Sequence, residues 1–148
     1  VFVVDTNVLV YAADVRAPEH ERCRALLEAW REGAGAWYLT WGICYEFLRV
    51  VTHPRVFRNP WSAAEARRFL AAVQAAPGLG MLIPTDRHDR VLDEAIAEVP
   101  QLAGNLMHDL QTAVLMREHG IRRIWTRDTD FHRFTFLEPI DPLLGELP

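Results

Sequence analysis

Short apolar runs alternate along the chain with longer stretches in which apolar residues recur every three or four positions. The runs "FVV" (2–4), "AWYLT" (36–40), "GMLIP" (80–84) and "IRRIWT" (121–126) have strand length, and "FTFLEP" (134–139) is a candidate fifth. Between them the period changes. "VLVYAA" (8–13) resumes the core as a helix after the first run. "APEHERCRALLEAWREG" (17–33) carries Pro18 near its start and Gly33 at its end, as a capped amphipathic helix does. "WGICYEFLRVVTH" (41–53) reads as helix and "PRVFRNPWS" (54–62) as a loop. Ser62 and Glu65 then form a capping-box pair ahead of "AAEARRFLAAVQAA" (63–76). "TDRHDRVLDEAIAEV" (85–99) stops before Pro100, and "NLMHDLQTAVLMREHG" (105–120) places Gly120 just past a helix end.

Short strands, apolar on both faces and separated by helical lengths, predict an α/β fold. The expected architecture is three-layer α/β/α around a short-stranded parallel sheet. At 148 residues, half of them hydrophobic, the chain is expected to form a single domain over 1–148. The last stretch, "DPLLGELP" (141–148), reads as a tail. No apolar run approaches the roughly 18 residues of a membrane span, and nothing reads as a signal peptide. Cys23 and Cys44 lie inside helical patterns without a CxxC partner. They are expected to be reduced core thiols, which suits a cytoplasmic protein.

The first apolar run ends abruptly on Asp5-Thr6-Asn7. In parallel sheets functional groups gather at the carboxyl ends of strands, and the acids collect there. Asp5 ends the first strand, and Asp128 and Asp130 follow the fourth. Asp109 shares a helix line with Ala113, Met116 and Gly120, at the edge of the core-facing stripe. Glu46 shares one with Gly42, Arg49 and His53. Each acid has an ordinary structural reading: N-caps for Asp5 and Asp128, an ion pair with Arg49 for Glu46, dipole compensation for Asp109, a turn for Asp130. Together they mean more. If the first and fourth strands are neighbours, Asp5 and Asp128 face each other, and Asp109 leads into that fourth strand. Carboxylates about 4 Å apart repel by about 4 kcal/mol per pair at an effective dielectric of 20. Such a cluster needs protons or a cation, so at least one carboxyl is expected to titrate high. Hard oxygen ligands without paired His or Cys favour Mg²⁺ or Mn²⁺ over zinc.

These segments resemble a PIN domain, more closely a VapC-type toxin ribonuclease, in four places. "VDTNVLVYA" holds Asp5, "CYEFLRVVTHPRVF" holds Glu46, "MHDLQTAVLMREHG" holds Asp109, and "IWTRDTDFHRF" holds Asp128 with Asp130 as an accessory acid. The resemblance implies a PIN-like fold and a metal-dependent endoribonuclease. Asp5, Glu46, Asp109 and Asp128 would be its catalytic metal ligands for one or two Mg²⁺ or Mn²⁺ ions. It also implies a homodimer, inhibited by a cognate antitoxin protein in a higher assembly. Hydrolysis by a metal-activated water is expected to leave a 5′-phosphate and a 3′-hydroxyl. Thr6 and Asn7 are expected to orient Asp5 by hydrogen bonding or to cap the next helix, and Thr126 to orient Asp128.

Charge changes this picture little. The net charge is −4, and the four acids account for all of it. Every basic residue is arginine. Arg49, Arg55, Arg58 and Arg127 are candidates for phosphate contact, with solvated surface or antitoxin contact as the plainer reading. Trp61, Phe57 and Val56 form either an apolar partner groove or core. A haloacid-dehalogenase-type phosphatase using Asp5 as nucleophile is the first rival. Asn7 stands where its second Asp belongs, and the lysine it uses is absent. A receiver domain fails on the same lysine. A non-catalytic module of the same fold is the other rival, and the complete acid set argues against it. GxGxxG and the P-loop pattern are both missing.

Overall fold

The computed structural model describes residues 1–145; the end of the expected tail, 146–148, lies outside the described residues. Five strands form one parallel sheet: β1 (Phe2–Val4), β2 (Trp37–Thr40), β3 (Leu79–Leu82), β4 (Arg123–Trp125) and β5 (Glu138–Ile140). Their order is β3-β2-β1-β4-β5. The connections carry α1 (Thr6–Ala13), α2 (His20–Glu32), α3 (Trp41–Thr52), α4 (Ala63–Gln74), α5 (His88–Glu98) and α6 (Leu106–Glu118), with a 3₁₀ helix over Thr129–Arg133. From β1 the chain winds outward through β2 to β3, then crosses back to β4 on the other side. The right-handed crossover rule therefore puts α1–α4 and α5–α6 on opposite faces. The packing agrees: α1 touches α2 and α3, α3 touches α4, and α5 touches α6. This is the expected α/β/α sandwich.

The fifth strand begins later than its apolar run suggests. Phe131, Phe134 and Leu137 turn inward as buried residues around the 3₁₀ helix, and only Glu138–Ile140 pairs with β4. The side chains explain this: an apolar run can be satisfied by burial from a tight turn as well as from a strand.

Val3 and Val4 of β1 are fully buried, so both faces of the central strand are covered. On one face α2 presents Trp30 to Phe2, Trp37 and Trp125, with ring centroids 5.1–6.1 Å apart. The buried positions of α2, Cys23, Leu26, Leu27 and Trp30, recur at helical spacing. In α6 the buried residues run consecutively from Thr112 to Met116, because α5, α3 and the 3₁₀ helix all pack on it. Its end is a Schellman motif: Gly120 has φ +68°, its N–H donates to Arg117 O, and Ile121 N donates to Met116 O at 2.9 Å. The capping box opens α4, with Ser62 Oγ accepting from Glu65 N and Glu65 Oε2 accepting from Ser62 N at 2.7 Å. Cys23 and Cys44 are free and buried, and burial pushes both thiols up to about 11. Trp61 packs on Phe47, Phe57 and Phe69, so much of the apolar loop is core, while Val56 stays exposed.

Candidate active site

The sheet order reverses between β1 and β4, and a crevice opens where the carboxyl ends of these two strands diverge. Val4 lies opposite Trp125, so the next residues, Asp5 and Thr126, leave the sheet side by side. Asp5 N donates to Trp125 O at 3.0 Å, the last rung of that ladder.

Asp5 is 8% exposed and does two things at once. Its Oδ1 accepts from Thr6 N at 2.7 Å as the N-cap of α1. Its Oδ2 accepts from Asn7 Nδ2 and from Thr126 Oγ1, the latter at 2.7 Å. The Thr126 hydroxyl also accepts from Asn7 Nδ2 at 3.0 Å and from Asp128 N at 2.9 Å. One buried hydroxyl thus ties together the two loops that carry Asp5 and Asp128. Asn7 completes the lock by accepting from Arg127 N at 3.2 Å. Asp128 caps the 3₁₀ helix, with Oδ1 accepting from Asp130 N at 2.8 Å. The structural readings of Asp5 and Asp128 are therefore real, and both capping carboxylates still face the crevice.

Glu46 arrives from α3. Thr6 Oγ1 donates to its Oε2 at 3.2 Å, and Arg49 lies 3.5 Å from its Oε1. Thr6 thus supports Glu46 by its hydroxyl and meets Asp5 only by its backbone. A Cβ at Gly42 would stand 2.7 Å from Gln111 Oε1, the end of a flexible α6 side chain that can move aside. Asp109 comes from the first turn of α6 and is half-buried. Asp5, Glu46, Asp109 and Asp128 all line a cavity of about 210 Å³ with Thr6 and Asn7. Glu46, Asp109 and Asp128 also line a larger open cleft of about 890 Å³. Among the described residues, Asp109, Asp128 and Asp130 form a group whose ligand atoms lie within 4.8 Å of one another; Asp5 and Glu46 line the cavity outside that group. Asp130, expected as an accessory, is brought into this group by the 3₁₀ turn.

Of the four candidate phosphate-binding arginines, Arg49 lines the cleft. Arg127 is held by Glu19 and lies 3.6 Å from Asp141. Arg58 lines a separate hollow near the far end of α1, and Arg55 is exposed in the same loop. Arg122 and Arg123 pair with Glu138.

The crowding of acids shows in their titration. Burial, aided by Glu46 and Asp128, raises Asp5 from 3.8 to about 6 despite the hydrogen bonds from Thr126 and Thr6. Asp109 is raised to about 7, by burial first and then by Asp128, Asp5, Asp130 and Glu46. A dication would relieve this repulsion. The converging donors are all carboxylate oxygens, which fits Mg²⁺ or Mn²⁺.

The model of the family described as "PIN domain" matches residues 2–137, nearly the whole described chain. The chain belongs to the PIN-domain family. Among curated PIN relatives, "Ribonuclease VapC48" of Mycobacterium tuberculosis is 32% identical over 150 residues, covering 95% of this chain and 97% of that protein. "Ribonuclease VapC43" of the same species is 34% identical over 143 residues, covering 97% and 96%. The chain thus groups with the VapC branch, which sets aside the dehalogenase-type phosphatase. In fold, the PIN domain resembles VapBC2 from Rickettsia felis, solved bound to a DNA fragment from their promoter. The TM-score is 0.68 at 16% identity, over 94% of this chain and 96% of the other. Among the described residues no helix of the PIN domain is long and apolar enough to cross a membrane.

Two outcomes follow from this geometry. Both raised carboxyls hold protons in the folded protein at pH values where the unfolded chain has lost them. Metal-free stability therefore falls as pH rises from about 4 through about 7. For Asp5 alone, the shift from 3.8 to about 6 amounts to about 3 kcal/mol at pH 8. The metal-free melting temperature is expected to be higher at pH 5 than at pH 8, and Mg²⁺ should raise it more at pH 8. Differential scanning calorimetry at both pH values checks this; a metal-free melting temperature that climbs from pH 5 to pH 8 would contradict it. The second outcome concerns Thr126→Val, which keeps shape and removes the shared hydroxyl. It is expected to weaken Mn²⁺ affinity by about 10–100-fold, measured by calorimetric titration. Unchanged affinity would mean that Asp5 is held without it.

Proposed function

We propose that this PIN domain is a divalent-metal-dependent endoribonuclease, forming a single catalytic unit over residues 1–148, and the toxin of a toxin–antitoxin pair. One observation carries the reading. Five acids from four separate parts of the chain meet at the β1–β4 crevice, although burial and their mutual repulsion oppose it and raise two of their pKa values. Perturbed carboxyls gathered in a cleft are the pattern of a functional site. The relatives named ribonucleases, at 32–34% identity over nearly the whole chain, supply the reaction class.

Asp5, Glu46, Asp109 and Asp128 would hold one or two Mg²⁺ or Mn²⁺ ions, with Asp130 close enough to share a ligand position. When bound, the metal supplies Lewis-acid stabilisation of the scissile phosphate and a more acidic water. The protein's part is to preset the ligands. Thr126 and Asn7 fix one Asp5 oxygen, Thr6 fixes Glu46, and the Asp130 N–H fixes Asp128. Water adds to phosphorus and the bond to the 3′ oxygen breaks, leaving a 5′-phosphate and a 3′-hydroxyl. The likeness to VapBC2 on promoter DNA supports an antitoxin partner and a higher assembly with it. A homodimer and a cytoplasmic location complete the proposal.

The test is incubation of purified protein with total RNA in Mg²⁺ or Mn²⁺, with and without EDTA, followed by mapping of both new ends. Cleavage that needs the metal and leaves 5′-phosphates supports the reading. Cleavage unaffected by EDTA, or leaving 2′,3′-cyclic phosphates, refutes it.

A further inference from the structure

We propose that Trp41 and Tyr45 form a stacking platform that seats a base of single-stranded RNA beside the carboxylates. The proposal rests on the ribonuclease reading above and names the form of its substrate. Trp41, Tyr45 and Arg49 recur at i, i+4 and i+8 on α3 and so form one stripe along the helix. All three line the large cleft, and Glu46, adjacent in sequence to Tyr45, lines it with them. Trp41 is 50% exposed and Tyr45 69%. Their rings lie 6.3 Å apart at 47°. A single exposed aromatic needs no explanation, but two neighbouring rings on the wall of an acid-lined cleft form a π surface next to the reacting groups. They also border a mostly apolar hollow of about 120 Å³ with Cys44, Leu48 and Leu70, where Arg67 and Gln74 complete the lining.

The electrostatics point the same way. Most nucleic-acid binders draw affinity from phosphate contacts. Here Arg49 is the one arginine lining the cleft among the described residues, and it leans on Glu46. The other charged groups of the cleft are the carboxylates proposed to hold metal, so apart from the scissile phosphate itself the RNA backbone finds little cationic surface there. Stacking is indifferent to that charge and to base identity. It requires an unpaired base, because a base within a duplex hides its faces. Asn105, His108 and Gln111 also line the cleft and offer donors and acceptors to a base edge. A second copy of the chain is the competing occupant. Interface cores are depleted of charge, whereas this stripe shares its cleft with Glu46, Asp128 and Asp130; that disfavours a buried core with a second copy, and the position of the rings beside the proposed reacting acids favours the substrate.

The experiment reads binding without cleavage. In the Asp5→Asn background, the affinity for a fluorescein-labelled, mixed-sequence single-stranded RNA is measured by anisotropy for the parent, Trp41→Ala, Tyr45→Ala and Trp41→Phe, beside a fully paired RNA duplex. Light scattering after size-exclusion chromatography reads oligomer size. Each alanine is expected to weaken single-strand binding about tenfold, with duplex binding and oligomer size unchanged, and phenylalanine should restore affinity to within about twofold. Unchanged single-strand affinity in both alanine variants overturns the proposal. So does an equal loss for the duplex, or a loss that accompanies a change of oligomer size, which would give the face to a second copy. Because hydrolysis is not read, the platform can fail while the nuclease assignment stands, and the reverse.

Discussion

Asp5→Asn is expected to lower metal-dependent RNA cleavage by more than about 100-fold. Losing a partner that merely orients a metal ligand costs about 10–100-fold, and Asp5 is proposed as a ligand itself. The substitution changes little else. Asn retains the oxygen that caps α1 at Thr6 N, and it removes a buried carboxyl that burial and neighbouring acids raise to about 6. Against that gain, its amide nitrogen faces Asn7 Nδ2, a donor opposite a donor. The two effects oppose each other, so the variant should fold. Cleavage rate on a defined RNA, with melting temperature as the folding control, decides the matter. A folded Asp5→Asn protein that cleaves as fast as the parent would remove the acid cluster from the chemistry.

Phe47→Ala is expected to be the most damaging core substitution near the site. Phe47 is fully buried, stacks on Phe69 at 5.1 Å and 17°, and meets the edge of Trp61 at 6.3 Å. Removing such a ring costs about 3–5 kcal/mol, the lost transfer energy plus the cavity between α3 and α4. That is a large share of the roughly 5–15 kcal/mol that holds a typical domain together. The melting temperature should fall by about 10–15 °C. Phe47 precedes Leu48 and follows Glu46 on the helix that presents an acid and the aromatic stripe. A loosened α3 should therefore lower metal affinity as well. Thermal melting followed by circular dichroism checks the first effect, and a drop under about 3 °C would show that α3 is not anchored through this ring.

Much of the fold was legible locally. The Ser62–Glu65 box, Gly120 at a helix end and the apolar runs of β1–β4 depend on neighbours a few residues away, and each lies where its pattern predicted. The sequence-read acids also lie at one edge of the sheet. The less legible features depend on distant residues. Asp130 joins Asp109 and Asp128 because a 3₁₀ turn swings it round, and a turn that short has no period to read. The Thr126 hydroxyl serves Asp5, more than a hundred residues earlier in the chain, so its partners could not be counted from spacing. Thr6 looked like support for Asp5, yet its hydroxyl reaches Glu46. The candidate arginines were separated by tertiary contacts, since Arg127 answers to Glu19 and Asp141 while Arg49 lines the cleft. Trp41 and Tyr45 carried no signal beyond belonging to a helix, because exposure is a property of what fails to pack on a surface.

The sequence by itself determined the elements, their helical or extended period, and the polar break at Asp5 that ends the first strand. Those follow from side-chain spacing and capping, which act over one or two turns. Only the tertiary structure decided that β1 lies beside β4, which acids share a cavity, and which of them resist ionisation. Strand order is set by how helices cover both faces of the sheet. The raised pKa values arise from burial and from charges brought near by folding, and both are distances that a linear chain does not contain.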